Sequence, residues 1–282
     1  MLRVSSIKLK NKFVRFFFIY LILILFAIFT LFPFYWIFTQ SIKNPKDTIS
    51  YPPKFTFQPT LSNYQKVLSK PDFIESFVDS IKVSVSSILL TLLVGAPFGY
   101  CLARFVYKGK EDMAFFVLST RFMPAVVVVV PLLRVFKFLN LVDTIAGLSI
   151  AHILVNLALV VWLSRVFFAS VPKEIEEAAT IDGCSTLKVL TRITLPLAAP
   201  GLLSVAVLSF VFSWNEFIFS LTLTSIKVRT LPLYIATSFV GSYAVDWGSL
   251  SAAGMLAILP TVILLLLVQK HLVKGLTFGA LQ

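Results

Sequence analysis

The most chemically pointed pattern in this chain is Ser170-Val-Pro-Lys-Glu-Ile-Glu-Glu-Ala-Ala-Thr-Ile-Asp-Gly-Cys184, and its residue types suit docking rather than catalysis. Ser170 ahead of Pro172, followed by Glu174, Glu176 and Glu177, carries the signals of a helix start, where carboxylates are favoured by the positive end of the helix dipole. Ile175, Ala178, Ala179 and Asp182 recur at i, i+3, i+4 and i+7 and give one narrow face of small and apolar side chains. Gly183 interrupts that periodicity where a left-handed turn costs little. Leu187, Leu190 and Ile193 predict a second helix, which Pro196 and Pro200 are expected to break. Residues 170–200 thus read as helix, glycine turn, helix: a knuckle whose alanines let a partner's backbone approach closely.

Other chemistries lack their residues. No G-x-x-x-x-G-K-[ST] loop is present to cradle ATP, and no H-E-x-x-H or nucleophile elbow occurs. Two histidines and Cys101 and Cys184 form no metal-ligand spacing, so neither a metal nor a catalytic set is expected. The formal charge of +12 comes from basic residues scattered between apolar runs, without the aromatic-lined patch of a nucleic-acid binder. Those residues read as topology signals and contacts for anionic lipid.

The elements that must position the knuckle are membrane helices. Hydrophobic residues make up 58% and charged ones 13% of the chain, far from soluble composition. Apolar runs predict an all-α membrane protein with six spans at about 16–38, 80–105, 113–136, 144–168, 201–223 and 251–268. Residues 1–15 form a basic tail with Arg3, Lys8, Lys10, Lys12 and Arg15. The run after it is too long for a signal peptide, so both termini are placed in the cytoplasm, N-in and C-in. A modest excess of Lys and Arg on the proposed inner segments supports this orientation, against several lysines in residues 40–78. The single transmembrane domain 16–282 then carries the 170–200 loop inside, with both cysteines on the reducing side and no disulfide.

Polar residues within spans are candidates for a path. Arg121 needs a partner or a wet cavity, and a structural bridge to Glu216 or to another subunit is an equal alternative. Pro124 and Pro131, seven apart, suit a bent helix around a cavity. Glu216, next to Asn215, lies about sixteen residues, or roughly 24 Å, into the fifth span, close to the outer interface, as a gate or beside a Trp214 interfacial anchor. His152 reads as a hydrogen-bonded core residue.

Glu177-Ala178-Ala179, then Gly183, then Ile193-x-Leu195-Pro196, resemble the EAA loop of ABC-importer permease subunits at every anchor. The segments Tyr51-Pro-Pro…Pro59-Thr-Leu-Ser-Asn-Tyr64, Arg121-Phe-Met-Pro124, Trp214-Asn215-Glu216-Phe217 and Lys274-Gly275-Leu276-Thr277-x-Gly279-Ala280 are similar to the carbohydrate, maltose-type branch. The resemblance implies a type I ABC importer (MetI-like) permease fold in the cell inner membrane. It implies coupling to an ATPase through Glu177, Ala178, Ala179, Ile181, Asp182, Gly183, Ile193, Leu195 and Pro196, and contact with an external sugar-binding protein at Val240, Gly241, Ser242 and Tyr243. Two ATP-binding-cassette subunits would hold ATP and Mg, with no cofactor on this chain and a second permease subunit, by family habit a different chain. The cargo implied is a sugar, as an oligosaccharide. A secondary solute carrier is the rival reading, but the inverted repeats it needs are not visible.

Overall fold

In lipid, backbone polar groups must be satisfied within the segment, and a helix does so locally. The chain accordingly folds into helices in this computed structural model, which describes residues 2–239 and 245–278. Long apolar runs give α1 (Leu2–Ser41), α2 (Pro71–Arg104), α5 (Ile145–Ala169), α8 (Leu195–Trp214) and α11 (Trp247–Phe278). Between them lie α3 (Lys110–Ser119), α4 (Ala125–Phe138), α6 (Lys173–Ile181), α7 (Thr186–Val189), α9 (Ile218–Leu223) and α10 (Leu231–Ser238). Among the described residues, five helices are long and apolar enough to cross a membrane, or six if α3 and α4 form one broken span.

The third span, expected over 113–136 as one helix bent at its prolines, is broken rather than merely bent. It runs as α3, a 3-10 turn at Thr120–Phe122, and α4, with a bend of 95°. Met123 precedes Pro124, a position driven out of the helical region, and it is extended with ψ 123°. Pro131 lies inside α4 without ending it. The fifth span also differs. Pro196 and Pro200 do not break the second helix of the knuckle: Thr186–Trp214 runs continuously into the membrane, with a π-helical turn at Leu190–Thr194. Pro196 follows directly on that π-helical turn, where the Leu195 amide already reaches back five residues to the Leu190 carbonyl, so the α-helical register that Pro196 would interrupt has been shifted. The helix then stops at Trp214, short of the expected residue 223.

The described residues form two compact units. One comprises residues 1–69 and 239–256. In it Asn63 Nδ2 donates to the carbonyls of Ser41 and Lys43, Ser41 Oγ meets Tyr64 Oη at 2.8 Å, and Lys66 pairs with Asp246. The other, residues 70–238 and 257–282, is built on α2, α5 and α8. Small residues let α2 and α5 approach closely: a Cβ placed on Gly99 would meet Ser164 Cβ at 2.7 Å and the Val161 carbonyl oxygen at 2.9 Å. Val83, Val129, Phe136, Leu148, Ala151, Phe219, Leu223 and Val228 make one apolar cluster of this unit. Ala96, Tyr100, Phe168, Val171, Ala198 and Leu202 make another beneath the knuckle.

Candidate functional site

The knuckle is a helix, a left-handed residue and a helix. Gly183 has φ +83°, a conformation that costs glycine nothing. The Cys184 amide donates to the Ala179 carbonyl and the Gly183 amide to the Thr180 carbonyl, both at 3.0 Å. This is the paired bonding of a Schellman cap, which satisfies the last carbonyls of α6. Ser185 then precedes α7.

The turn faces outward. Glu177, Ala178, Ile181, Asp182 and Gly183 are exposed, with Ile181 86% accessible. Leu195 and Pro196 are exposed and Ile193 is half-buried. Of the small and apolar stripe, Ile175, Ala178 and Asp182 are exposed, while Ala179 turns inward beside Glu176, the other buried residue of α6. Nothing lies within 4 Å of a Cβ built on Gly183, so only its backbone conformation restricts that position.

Glu176 was legible in the sequence only as one of three acids favouring a helix start. In the fold it is the centre of a buried network. Arg104 Nε and Nη2 donate to Glu176 Oε1 at 2.9 and 2.7 Å, Thr194 Oγ1 donates to the same oxygen at 2.9 Å, and Tyr100 Oη donates to Oε2 at 3.1 Å. Arg104 Nη2 also reaches the Val171 carbonyl at 2.8 Å. The Arg104 and Glu176 side chains are 8% and 10% exposed. Truncating either one leaves the other charge buried without its partner, a loss of about 3–5 kcal/mol. The π-helical turn sets the direction of Thr194, which is fully buried.

A second feature lies at the bend of the third span. A cavity of about 480 Å³ is lined by Thr120, Arg121, Met123, Ala125, Val128, Leu154, Val155, Leu157 and Phe219. Arg121 sits on the 3-10 turn, donates to the Val155 carbonyl at 2.6 Å, and holds its guanidinium 4.3 Å from the Phe212 ring centre. It makes no bridge to Glu216. That carboxylate instead accepts the amides of Phe219 and Ser220 at the start of α9 and lies 3.4 Å from His152 Nε2. His152 Nδ1 meets Ser213 Oγ at 2.7 Å in a fully buried setting.

Of the four candidate path residues, Arg121 lines the cavity and Pro124 stands at the bend. Asn215 and Glu216 occupy the break that follows α8, not a helix interior. Trp214 is no interfacial anchor either: it is 3% exposed and its indole donates to the Ala257 carbonyl at 3.0 Å. Val240, Gly241, Ser242 and Tyr243 lie outside the described residues.

Residues 95–278 match the family described as the binding-protein-dependent transport system inner membrane component. The chain is 37% identical over 263 residues to the trehalose/maltose transport system permease protein MalG of Thermococcus litoralis, covering 92% of this chain and 94% of that one. It is 33% identical over 254 residues to the sulfoquinovosyl glycerol transport system permease protein SmoH of Agrobacterium fabrum, covering 89% of each. Its fold is similar to a chain in the crystal structure of a bacterial ABC transporter involved in the import of the acidic polysaccharide alginate, with a TM-score of 0.75 and 24% identity over 91% of this chain and 96% of that one.

Proposed function

This chain belongs to the inner membrane components of binding-protein-dependent transport systems, and from that premise we propose that it is a multi-pass subunit of an ATP-driven sugar importer, gripped by an ATPase at the 173–196 knuckle. The observation that carries this reading is the exposed tip: Ile181, Ala178 and Gly183 form an apolar point flanked by Glu177 and Asp182, on a polar loop. An isoleucine so exposed at the end of a rigid turn is suited to a partner's cleft.

In the mechanism, ATP and Mg are held by two cytoplasmic ATP-binding-cassette subunits, because this chain has no phosphate-cradling loop. Their closure pulls on the knuckle. The helices joined to it then switch the cavity between inward and outward access, a two-state element biased from a distant site. A second permease subunit completes the pathway, and an external binding protein delivers the cargo near residues 240–243. The orientation is N-in, with the knuckle on the cytoplasmic side of the cell membrane. The relatives named for trehalose/maltose and for sulfoquinovosyl glycerol support a sugar or glycoside cargo, and we assign an oligosaccharide.

The test is purification of the tagged chain from membranes. An ATP-hydrolysing subunit should come with it, and Ile181→Asp should reduce the recovered ATPase by about tenfold, within the usual effect of losing a central contact. Undiminished recovery with Ile181→Asp rejects the docking reading. ATP-dependent uptake of maltose, trehalose or longer glucans by the intact complex tests the cargo.

A further inference from the structure

The knuckle can only do work if its displacement reaches the membrane helices, and the contacts that tie it to them are few. Helix α6 has nine residues, and just Glu176 and Ala179 among them are buried. A helix this short is marginal by itself, so its position is set by what those two side chains touch and by its chain ends. Ala179 offers a methyl group. Glu176 offers a carboxylate that accepts from Arg104 and Tyr100 on α2 and from Thr194 on the π-helical turn leading into α8.

We propose that Glu176 and Arg104 are the positioning residues that transmit knuckle movement to α2 and α8, while the exposed residues only grip the partner. The proposal rests on the docking reading above. Glu176 lies on the face of α6 opposite the exposed Ala178 and Asp182, so force received on one side is delivered on the other. The contact is directional. Two guanidinium N–H groups and one hydroxyl converge on Oε1, and a phenol holds Oε2, which fixes distance and orientation together. An apolar contact of the same area would slide. Arg104 is itself held by the Val171 carbonyl, so α2, the start of the loop, α6 and the π-helical turn meet at one point. Lysine in place of Arg104 would keep the charge but lose the converging pair of N–H groups.

The experiment uses the whole complex with one reporter thiol, introduced by Val128→Cys in the cavity wall, in a Cys101→Ser, Cys184→Ser background. The rate at which a maleimide labels the introduced thiol is read with and without MgATP and vanadate. With the wild-type joint, the nucleotide should change the labelling rate. With Glu176→Gln or Arg104→Lys, the ATPase subunits should still copurify, but the nucleotide-dependent change should fall about tenfold, a loss typical of broken allosteric coupling. A variant that assembles and responds as the wild type overturns the proposal and leaves the docking reading standing. If Ile181→Asp assembles normally, the docking reading falls and this inference with it. If Glu176→Gln does not assemble, Tyr100→Phe and Thr194→Val remove single contacts from the same carboxylate, and an unchanged response in both overturns the proposal.

Discussion

Asp143 shows how one carboxylate can hold two segments together. It has φ +59°, which aspartate tolerates better than most residues. Its oxygens accept the amides of Ser225, Ile226, Lys227 and Val228 at 3.0 to 3.1 Å, and its own amide donates to the Leu223 carbonyl. Burial pushes the carboxyl up, but the backbone amides outweigh it and hold the group well below the usual carboxylate range. A carboxylate depressed in the native state stabilises it fully above the unfolded value, about 3.9, and loses that contribution as pH falls toward the native value. Asp143→Asn should therefore cost about 2 kcal/mol at neutral pH, because an acceptor for several N–H groups becomes partly a donor. Thermal unfolding in detergent should show the gap between wild type and variant narrowing as the medium is acidified below about pH 4. A gap independent of pH would refute this account. In the sequence Asp143 is only a loop residue, since its amide partners begin 82 positions away and leave no periodic trace. For the same reason the three acids at the knuckle look alike in sequence, with no sign that Glu176 turns inward, and Arg104 reads as a topology charge.

At the scale of elements, the glycines separate two kinds of constraint. At Gly99 a side chain would meet backbone atoms of α5, the Arg165 amide nitrogen and the Val161 carbonyl oxygen at 2.9 Å each, so helices must part. Gly99→Ala should cost about 1–3 kcal/mol as overpacking and lower the unfolding midpoint. Gly183→Ala meets no neighbour and should cost about 1–2 kcal/mol through its left-handed conformation alone. Its effect should appear as weaker ATPase recovery with the unfolding of the membrane helices unchanged; the reverse ranking of the two would contradict this division. Helix identity was readable wherever apolar runs were long, and α5 begins and ends within a residue of its expected bounds. Helix ends and breaks were not. Pro124 breaks its span through the residue before it, Pro131 breaks nothing, Pro196 follows a π-helical turn that has already shifted the bonding register, and Pro200 lies inside α8 without ending it. Whether a proline kinks, caps or ends a helix depends on which amide would otherwise be bonded, and hydropathy does not record that.

Across the whole molecule, the two cysteines offer a topological test. Both thiols are free and partly accessible, and Cys184 lies on the knuckle itself. With Cys101→Ser as the background, an impermeant maleimide should label Cys184 in inside-out vesicles and not in right-side-out ones, and bound ATPase should slow that labelling. Reaction from the outside would invert the proposed orientation. The amino-acid pattern located the knuckle, and composition placed the chain in a membrane. What they did not carry is the wiring between them, because buried contacts such as Arg104 to Glu176 join residues 72 positions apart.

The uninterrupted run from Thr186 to Trp214 has one more consequence. Its 29 residues make a rod about 43 Å long, with the Gly183 turn just before one end and the Asn215–Phe217 break at the other. If a partner takes hold of the turn as proposed, a rod of that length would carry a tilt imposed there to the far tip, where Glu216 anchors the start of α9 and Phe219 walls the cavity.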